Sequence, residues 1–147
     1  MVLQNNIWNI GYNRFNEVIK PNTKLYLSCS PHNPTGRIFD FTELEQVSKI
    51  CIDRNIIICS DEIHCDILLD EKINHIPTAS INKTIEQNSI TFMSPSKTYN
   101  IAGLGFSFAI IPNDSLRNNF ISRCEGILPH INIPGYTAAI AAYKYGS

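Results

Sequence analysis

Charge is scarce in this sequence. Asp, Glu, Lys and Arg make up 17% of its 147 residues, where soluble domains average about 25%. The 12 basic and 13 acidic side chains leave a net charge of −1. Lys and Arg are scattered and form no stripe, so the electrostatic attraction that dominates nucleic-acid binding has no source here. Long apolar runs are missing too. Stretches such as Ile56-Ile57-Ile58-Cys59 fall far short of the roughly 18–20 residues of a membrane-crossing helix. The start, Met1-Val2-Leu3-Gln4-Asn5-Asn6, has neither the basic nor the apolar region of a secretory signal. Cys29, Cys51, Cys59, Cys65 and Cys124 contain no Cys-x-x-Cys pair, and their odd number argues against a disulfide framework and against a zinc ribbon. They read as reduced, mostly buried thiols of a cytoplasmic protein. No internal repeat and no low-complexity segment occurs.

What is present is one domain's length of chain, 44% hydrophobic and long enough to bury a core. Lys24 to Cys29 is a β-prone apolar run that stops in the turn-rich Ser30-Pro31-His32-Asn33-Pro34-Thr35-Gly36, which predicts a buried strand ending in a loop. Thr42 and Glu45 have capping-box spacing, and Leu44, Val47, Ile50 and Cys51 recur at helical intervals up to Arg54-Asn55. Ile56 to Ser60 is continuously apolar rather than alternating, as expected of a strand covered on both faces of a parallel sheet. Strand, helix and strand make one βαβ unit. Ser89 to Ser94 and Phe106 to Ile111 predict two further strands, and Asp114 is placed to cap a helix with Leu116, Phe120 and Cys124 on its apolar side. A short helix is expected near Phe15 to Ile19, and an apolar one begins at Ala138 to Tyr143. The whole is an α/β layered domain with a mostly parallel sheet flanked by helices.

In such a sheet, ligands bind in the crevice beyond the carboxyl ends of the strands. Three polar clusters fall there: Asn33 after the first strand; Asp61, Glu62 and His64 after the second; Ser94, Ser96 and Lys97 after the third. A lysine, a strand-end aspartate and an asparagine aimed at one crevice are what pyridoxal 5′-phosphate requires. The lysine forms the Schiff base, and the carboxylate keeps the pyridine nitrogen protonated so that the ring is an electron sink. Asn33 suits the ring's phenolate oxygen, and Ser94 and Ser96 suit the phosphate.

These motifs resemble the fold-type I, class I/II aminotransferase family. Asn-Pro-Thr-Gly at Asn33 to Gly36, Ser-Asp-Glu at Ser60 to Glu62 and Ser-x-Ser-Lys at Ser94 to Lys97 stand in the family's order, and the resemblance spans essentially the whole chain. It implies that Lys97 is the Schiff-base lysine, Asp61 the pyridinium partner and Asn33 the ligand of the phenolate oxygen, with His64 beside it. Finer details resemble the cystathionine and cysteine-S-conjugate β-lyases, the cystalysin-like branch: Ser30 to Arg37, Asp-Glu-Ile-His-Cys-Asp at Asp61 to Asp66, and Pro95 to Leu104. Many aminotransferases carry tyrosine where His64 stands and a phosphate-binding arginine where Gly105 stands, and both departures favour the lyase branch. The implied reaction has Lys97 remove the substrate's Cα proton as general base and a thiolate leave from Cβ, yielding a thiol, pyruvate and ammonia. An aminotransferase is the alternative, and a non-catalytic piece of either is a third.

The same residues also have plainer readings. An isolated lysine is most often a solvated one, and Asp61 or Glu62 at a strand end serves equally as a cap; Glu62 reads as structural. His64 is either a cofactor neighbour or a core histidine, and Ser94 and Ser96 are either phosphate ligands or local backbone caps. Asp61, His64, Cys65 and Asp66 include metal-ligand types, but alternate residues of an extended segment split across two faces, so no metal is expected. The resemblance further implies that residues 1–147 are the large cofactor-binding domain, incomplete at both ends. It lacks an upstream phosphate loop, a ring-stacking aromatic and a downstream arginine for the substrate carboxylate. The chain alone is expected to bind cofactor weakly and turn over little, the full-length protein to be a homodimer acting on a small amino-acid substrate.

Overall fold

The structure, a computed structural model, describes residues 1–146. The chain opens with a hairpin of β1 (Val2–Gln4) and β2 (Ile7–Asn9), paired antiparallel with Leu3 opposite Trp8. Its turn residues Asn5 and Asn6 both have positive φ, 52° and 60°, the conformation that a two-residue hairpin loop demands and that asparagine tolerates. Helix α1 (Tyr12–Val18) follows. It starts three residues before the expected Phe15, and Ile19, the last residue of the expected span, is its C-cap.

The central sheet has the order β3-β4-β5-β6, formed by Leu25–Cys29, Ile57–Asp61, Ser89–Met93 and Phe108–Ile110. The first three strands are parallel and β6 is antiparallel to β5, so the sheet is mostly parallel as the sequence predicts. Between the strands run α2 (Phe41–Asp53) and α3 (Lys83–Gln87), and after them α4 (Asp114–Cys124) and α5 (Ile133–Tyr145). The final helix begins five residues earlier than the apolar run at Ala138 suggests, because Asn132 caps it through the Gly135 N–H and Pro134 occupies its first turn.

Two helix starts differ from the expected ones for the same reason. The capping box of α2 is Asp40 with Glu43, each side chain taking the other's backbone N–H; Thr42 and Glu45 share the spacing but lie inside the helix. In α4 the cap is Asn113, which accepts from Leu116 N–H, and Asp114 is the first helical residue. A sequence with several Ser, Thr, Asp or Asn residues in a row offers several registers, and the backbone entry angle chooses among them. The exit of α2 is a Schellman motif: Asn55 is left-handed (φ 54°), and the Ile56 and Asn55 N–H groups reach Cys51 and Ile52 carbonyls.

Side-chain alternation gives β4 two faces. One carries Ile58, packed with Cys51 of α2, Ile85 of α3, Ile56, and Phe15 and Ile19 from the start of the chain. The other carries Cys59, packed with Ile90, Ile111 and the half-buried Phe92, Leu116 and Phe120. The strand is thus covered on both sides, as its unbroken apolar run implies.

Candidate active site

The three parallel strands end level with one another. Cys29 pairs with Asp61 and Asp61 with Phe92, the Ser30 N–H donates to the Asp61 carbonyl and the Glu62 N–H to the Phe92 carbonyl. Asp61 is therefore the central residue of the carboxyl edge. The Asn33 loop leaves from the strand on one side of it, the Lys97 loop from the strand on the other.

Asp61 is exposed at this edge, and its Oδ1 accepts the Ile63 N–H at 3.1 Å. It borders a cleft of about 450 Å³ whose walls include Leu27, Cys29, Phe92 and Ser94, so the carboxylate stands over a largely apolar floor. Asn33 is exposed in a tight turn closed by the His32 N–H on the Arg37 carbonyl and by the Gly36 N–H on the His32 carbonyl. Gly36 has φ 70°, the left-handed conformation that favours glycine. Arg37 forms an ion pair with Glu43, which ties the turn to the start of α2. In the same turn, His32 Nδ1 lies 2.8 Å from Thr35 Oγ1, and burial pushes the His32 imidazole pKa down. A second cleft, of about 360 Å³, is lined by Asn33 together with His64, Ile67 and Leu69. His64 is half-buried there, and its Nδ1 is buried with no hydrogen-bond partner among the described residues.

After β5, Ser94 Oγ lies 2.6 Å from both the Phe106 carbonyl and Ser96 Oγ, and accepts the Ser96 N–H at 3.1 Å. A hydroxyl has one proton and a carbonyl only accepts, so Ser94 donates to Phe106 and Ser96 donates to Ser94. In this arrangement Ser94 Oγ is engaged with its own loop and with Phe106. Ser96 can turn its hydroxyl outward while its N–H keeps Ser94 satisfied. Lys97 is exposed and, among the described residues, forms no ion pair. Tight turns hold its loop, with Tyr99 N–H on the Pro95 carbonyl and Ile101 N–H on the Ser96 carbonyl.

The structure thus brings Asp61 and Ser94 to one cleft and Asn33 and His64 to another, and Lys97 lines neither of the two. Asp61, His64, Cys65 and Asp66 form no metal-ligand group among the described residues. Glu62, read as structural, is deeply buried and bonded to His75 and Thr78, two residues the sequence reading passed over. The available signal was a carboxylate directly after an apolar strand, which must find donors once buried.

The level strand ends thus set an acid between an asparagine turn and a lysine loop on the mostly parallel sheet of an α/β domain. The chain belongs to the aminotransferase class I and II family, whose model matches residues 2–144. Within it, the chain is 37% identical over 127 residues to cystathionine beta-lyase PatB of Bacillus subtilis (strain 168), covering 86% of this chain and 33% of that protein. Among solved structures it superposes on OvoB with TM-score 0.94 at 41% identity, over 99% of this chain and 38% of that one. It also superposes on cystalysin from Treponema denticola, which contains pyridoxal 5′-phosphate, with TM-score 0.92 at 33% identity, over 99% and 37%. The chain therefore spans about a third of the length of the curated relatives it matches.

The residues present fit that cofactor. It needs a carboxylate for its ring nitrogen, a donor at its phenolate oxygen and an amine for its aldehyde. The strand edge and its loops offer the exposed Asp61, the His64 Nδ1 beside Asn33 in a concave site and the Lys97 amine, the last two without a partner among the described residues.

Proposed function

We propose that this chain is the cofactor-binding part of a pyridoxal 5′-phosphate-dependent carbon–sulfur β-lyase. Its substrate is cystathionine or a related cysteine S-conjugate, which takes up one water and gives a thiol, pyruvate and ammonia. The observation that carries this is the level carboxyl edge, with Asp61 in register between the strands that lead to Asn33 and Lys97. When bound, the cofactor supplies an electron sink for the charge left at the substrate's Cα.

The chain's own residues then have distinct tasks. Lys97 anchors the cofactor and, once released, takes the Cα proton on Nζ. Asp61 holds the proton on the ring nitrogen. Asn33 would donate to the phenolate oxygen with His64, which lines the same cleft, beside it, and Ser96 would hold the phosphate. Gly105 supports the lyase branch over an aminotransferase. It has φ 62°, so the arginine that many aminotransferases place there would be strained in this backbone. Five free thiols support a reducing, cytoplasmic setting, and the whole protein is read as a homodimer.

Borohydride reduction in the presence of pyridoxal 5′-phosphate, followed by peptide mapping, tests the site: the label belongs on Lys97, and a label elsewhere refutes the assignment. Cystathionine then separates the activities. Pyruvate released without a 2-oxo acid acceptor supports the lyase, whereas turnover only with an acceptor makes the enzyme an aminotransferase.

A further inference from the structure

Glu62 directly follows Asp61, yet its side chain is only 2% exposed. Its Oε1 accepts from Ser60 Oγ at 2.8 Å and from the Thr78 backbone N–H at 3.0 Å, and Oε2 lies 2.8 Å from His75 Nε2. Ser60 Oγ is also 3.0 Å from Thr78 Oγ1. Ser60 belongs to β4, whereas His75 and Thr78 lie 13 and 16 residues beyond Glu62. One carboxylate thus fastens the two ends of the segment 63–77 to each other and to the strand that carries Asp61.

The segment bears part of the site. From Glu62 the backbone enters consecutive turns, Cys65 N–H on the Glu62 carbonyl and Ile67 N–H on the His64 carbonyl, both at 3.0 Å. His64 is therefore held only two residues from the anchor, and with Ile67 and Leu69 it lines the cleft of Asn33. A carboxylate only accepts, so His75 presents its Nε2 proton to Glu62. His75 Nδ1 is buried without a partner among the described residues, so the imidazole has no second hydrogen bond competing with this one.

We propose that Glu62 is a positioning residue: through His75 and Thr78 it clips the 63–77 segment closed and so sets His64 against the Asn33 cleft. The link from His64 to cofactor binding rests on the function proposed above, while the clip does not. Hydrogen exchange and imidazole 15N shifts of the chain, together with titration of pyridoxal 5′-phosphate, test the two parts separately. In Glu62→Ala the Thr78 amide and those of 63–77 exchange faster, on the order of tenfold or more. The amides of β3, β4 and β5 keep their protection and the His64 ring signals move. His75→Ala reproduces this, and His75→Gln, whose amide still donates to Glu62, restores the slow exchange, the His64 signals and the affinity for pyridoxal 5′-phosphate. That second pair decides the matter where Glu62→Ala fails to fold. Equal behaviour of His75→Ala and His75→Gln, unchanged His64 signals, or protection lost evenly across the sheet overturns the proposal. If the wild-type chain does not bind pyridoxal 5′-phosphate while the variants still open the segment and move His64, the cofactor reading falls and the clip stands.

Discussion

On the face of the sheet that carries Ile58, helices α2 and α3 and the start of the chain close over the strands, and Ile56, Ile58, Ile85 and Cys51 are buried almost completely. On the opposite face α4 covers Cys59, Ile90 and Ile111 but stops short of β3, where Leu25 and Leu27 are 54% and 76% exposed. Leu27 pairs with Cys59 and Cys29 with Asp61. The bare half of this face is thus continuous with the floor of the cleft that Asp61 borders. The two faces divide the labour: the closed one supplies cohesion, and the open one leaves concave, mostly apolar space beside the strand-end carboxylate.

The comparison is tested most severely by Ile58→Ala. Removing three methyl-type carbons from a site closed by two helices costs about 2–5 kcal/mol, from lost transfer energy and the cavity left behind. Urea midpoints at constant slope measure it. A cost below about 1 kcal/mol would mean that the closed face is loosely packed and that the contrast between the faces is false.

Next in size is an alkaline effect to which two buried thiols contribute. Burial pushes the Cys51 thiol up from 9.0 to about 12. It pushes Cys65 up to about 11, with help from Asp66 and Glu62. Above pH 9 the unfolded chain gives up these protons while the folded chain keeps them. The unfolded state then binds fewer protons, and stability falls as pH rises. The stabilisation is whole below pH 9 and is lost between pH 9 and about 12 for Cys51 and between pH 9 and about 11 for Cys65, at up to about 1.4 kcal/mol per pH unit for each thiol. Cys51→Ala removes its share of that slope in urea titrations repeated across the window; an unaltered slope would place the thiol in contact with water.

Helix caps come third. Asp40→Ala removes the side chain that accepts the Glu43 N–H and is expected to cost about 1 kcal/mol. Thr42→Ala, at the cap the sequence alone suggests, is expected to stay within about 0.5 kcal/mol. Equal costs from the pair, read from thermal midpoints, would return the helix start to Thr42.

These caps mark where the sequence stops being legible. The βαβ order and the three clusters at strand ends could be read directly, because apolar runs and turn residues act over a few neighbours and the carboxyl edge follows from topology. Asp61, Asn33 and Lys97 were proposed as site residues that way. The cap register was not, since Asp40 and Thr42 both satisfy the local rule and only the path of the chain from Phe39 distinguishes them. His75 and Thr78 were hidden for another reason. Their role exists only because a loop returns to Glu62, and no periodic pattern records a contact across 13 or 16 residues. The two serines of the Lys97 loop were half legible: the residue types suit phosphate, but the Phe106 carbonyl that engages Ser94 arrives from twelve residues downstream.

The smallest effect is the most informative about the open face. Leu27→Ser places a hydroxyl where a leucine is already 76% exposed, so little apolar area returns to water and no cavity forms. Stability should move by less than about 0.5 kcal/mol, and the loss of β propensity on an edge strand is of that same small size. Chemical unfolding of the two variants side by side then puts numbers on the asymmetry, with Ile58→Ala far to one side and Leu27→Ser near zero. A Leu27→Ser cost comparable to that of Ile58→Ala would show the face to be covered in solution, and the cleft beside Asp61 would lose its floor as an accessible surface.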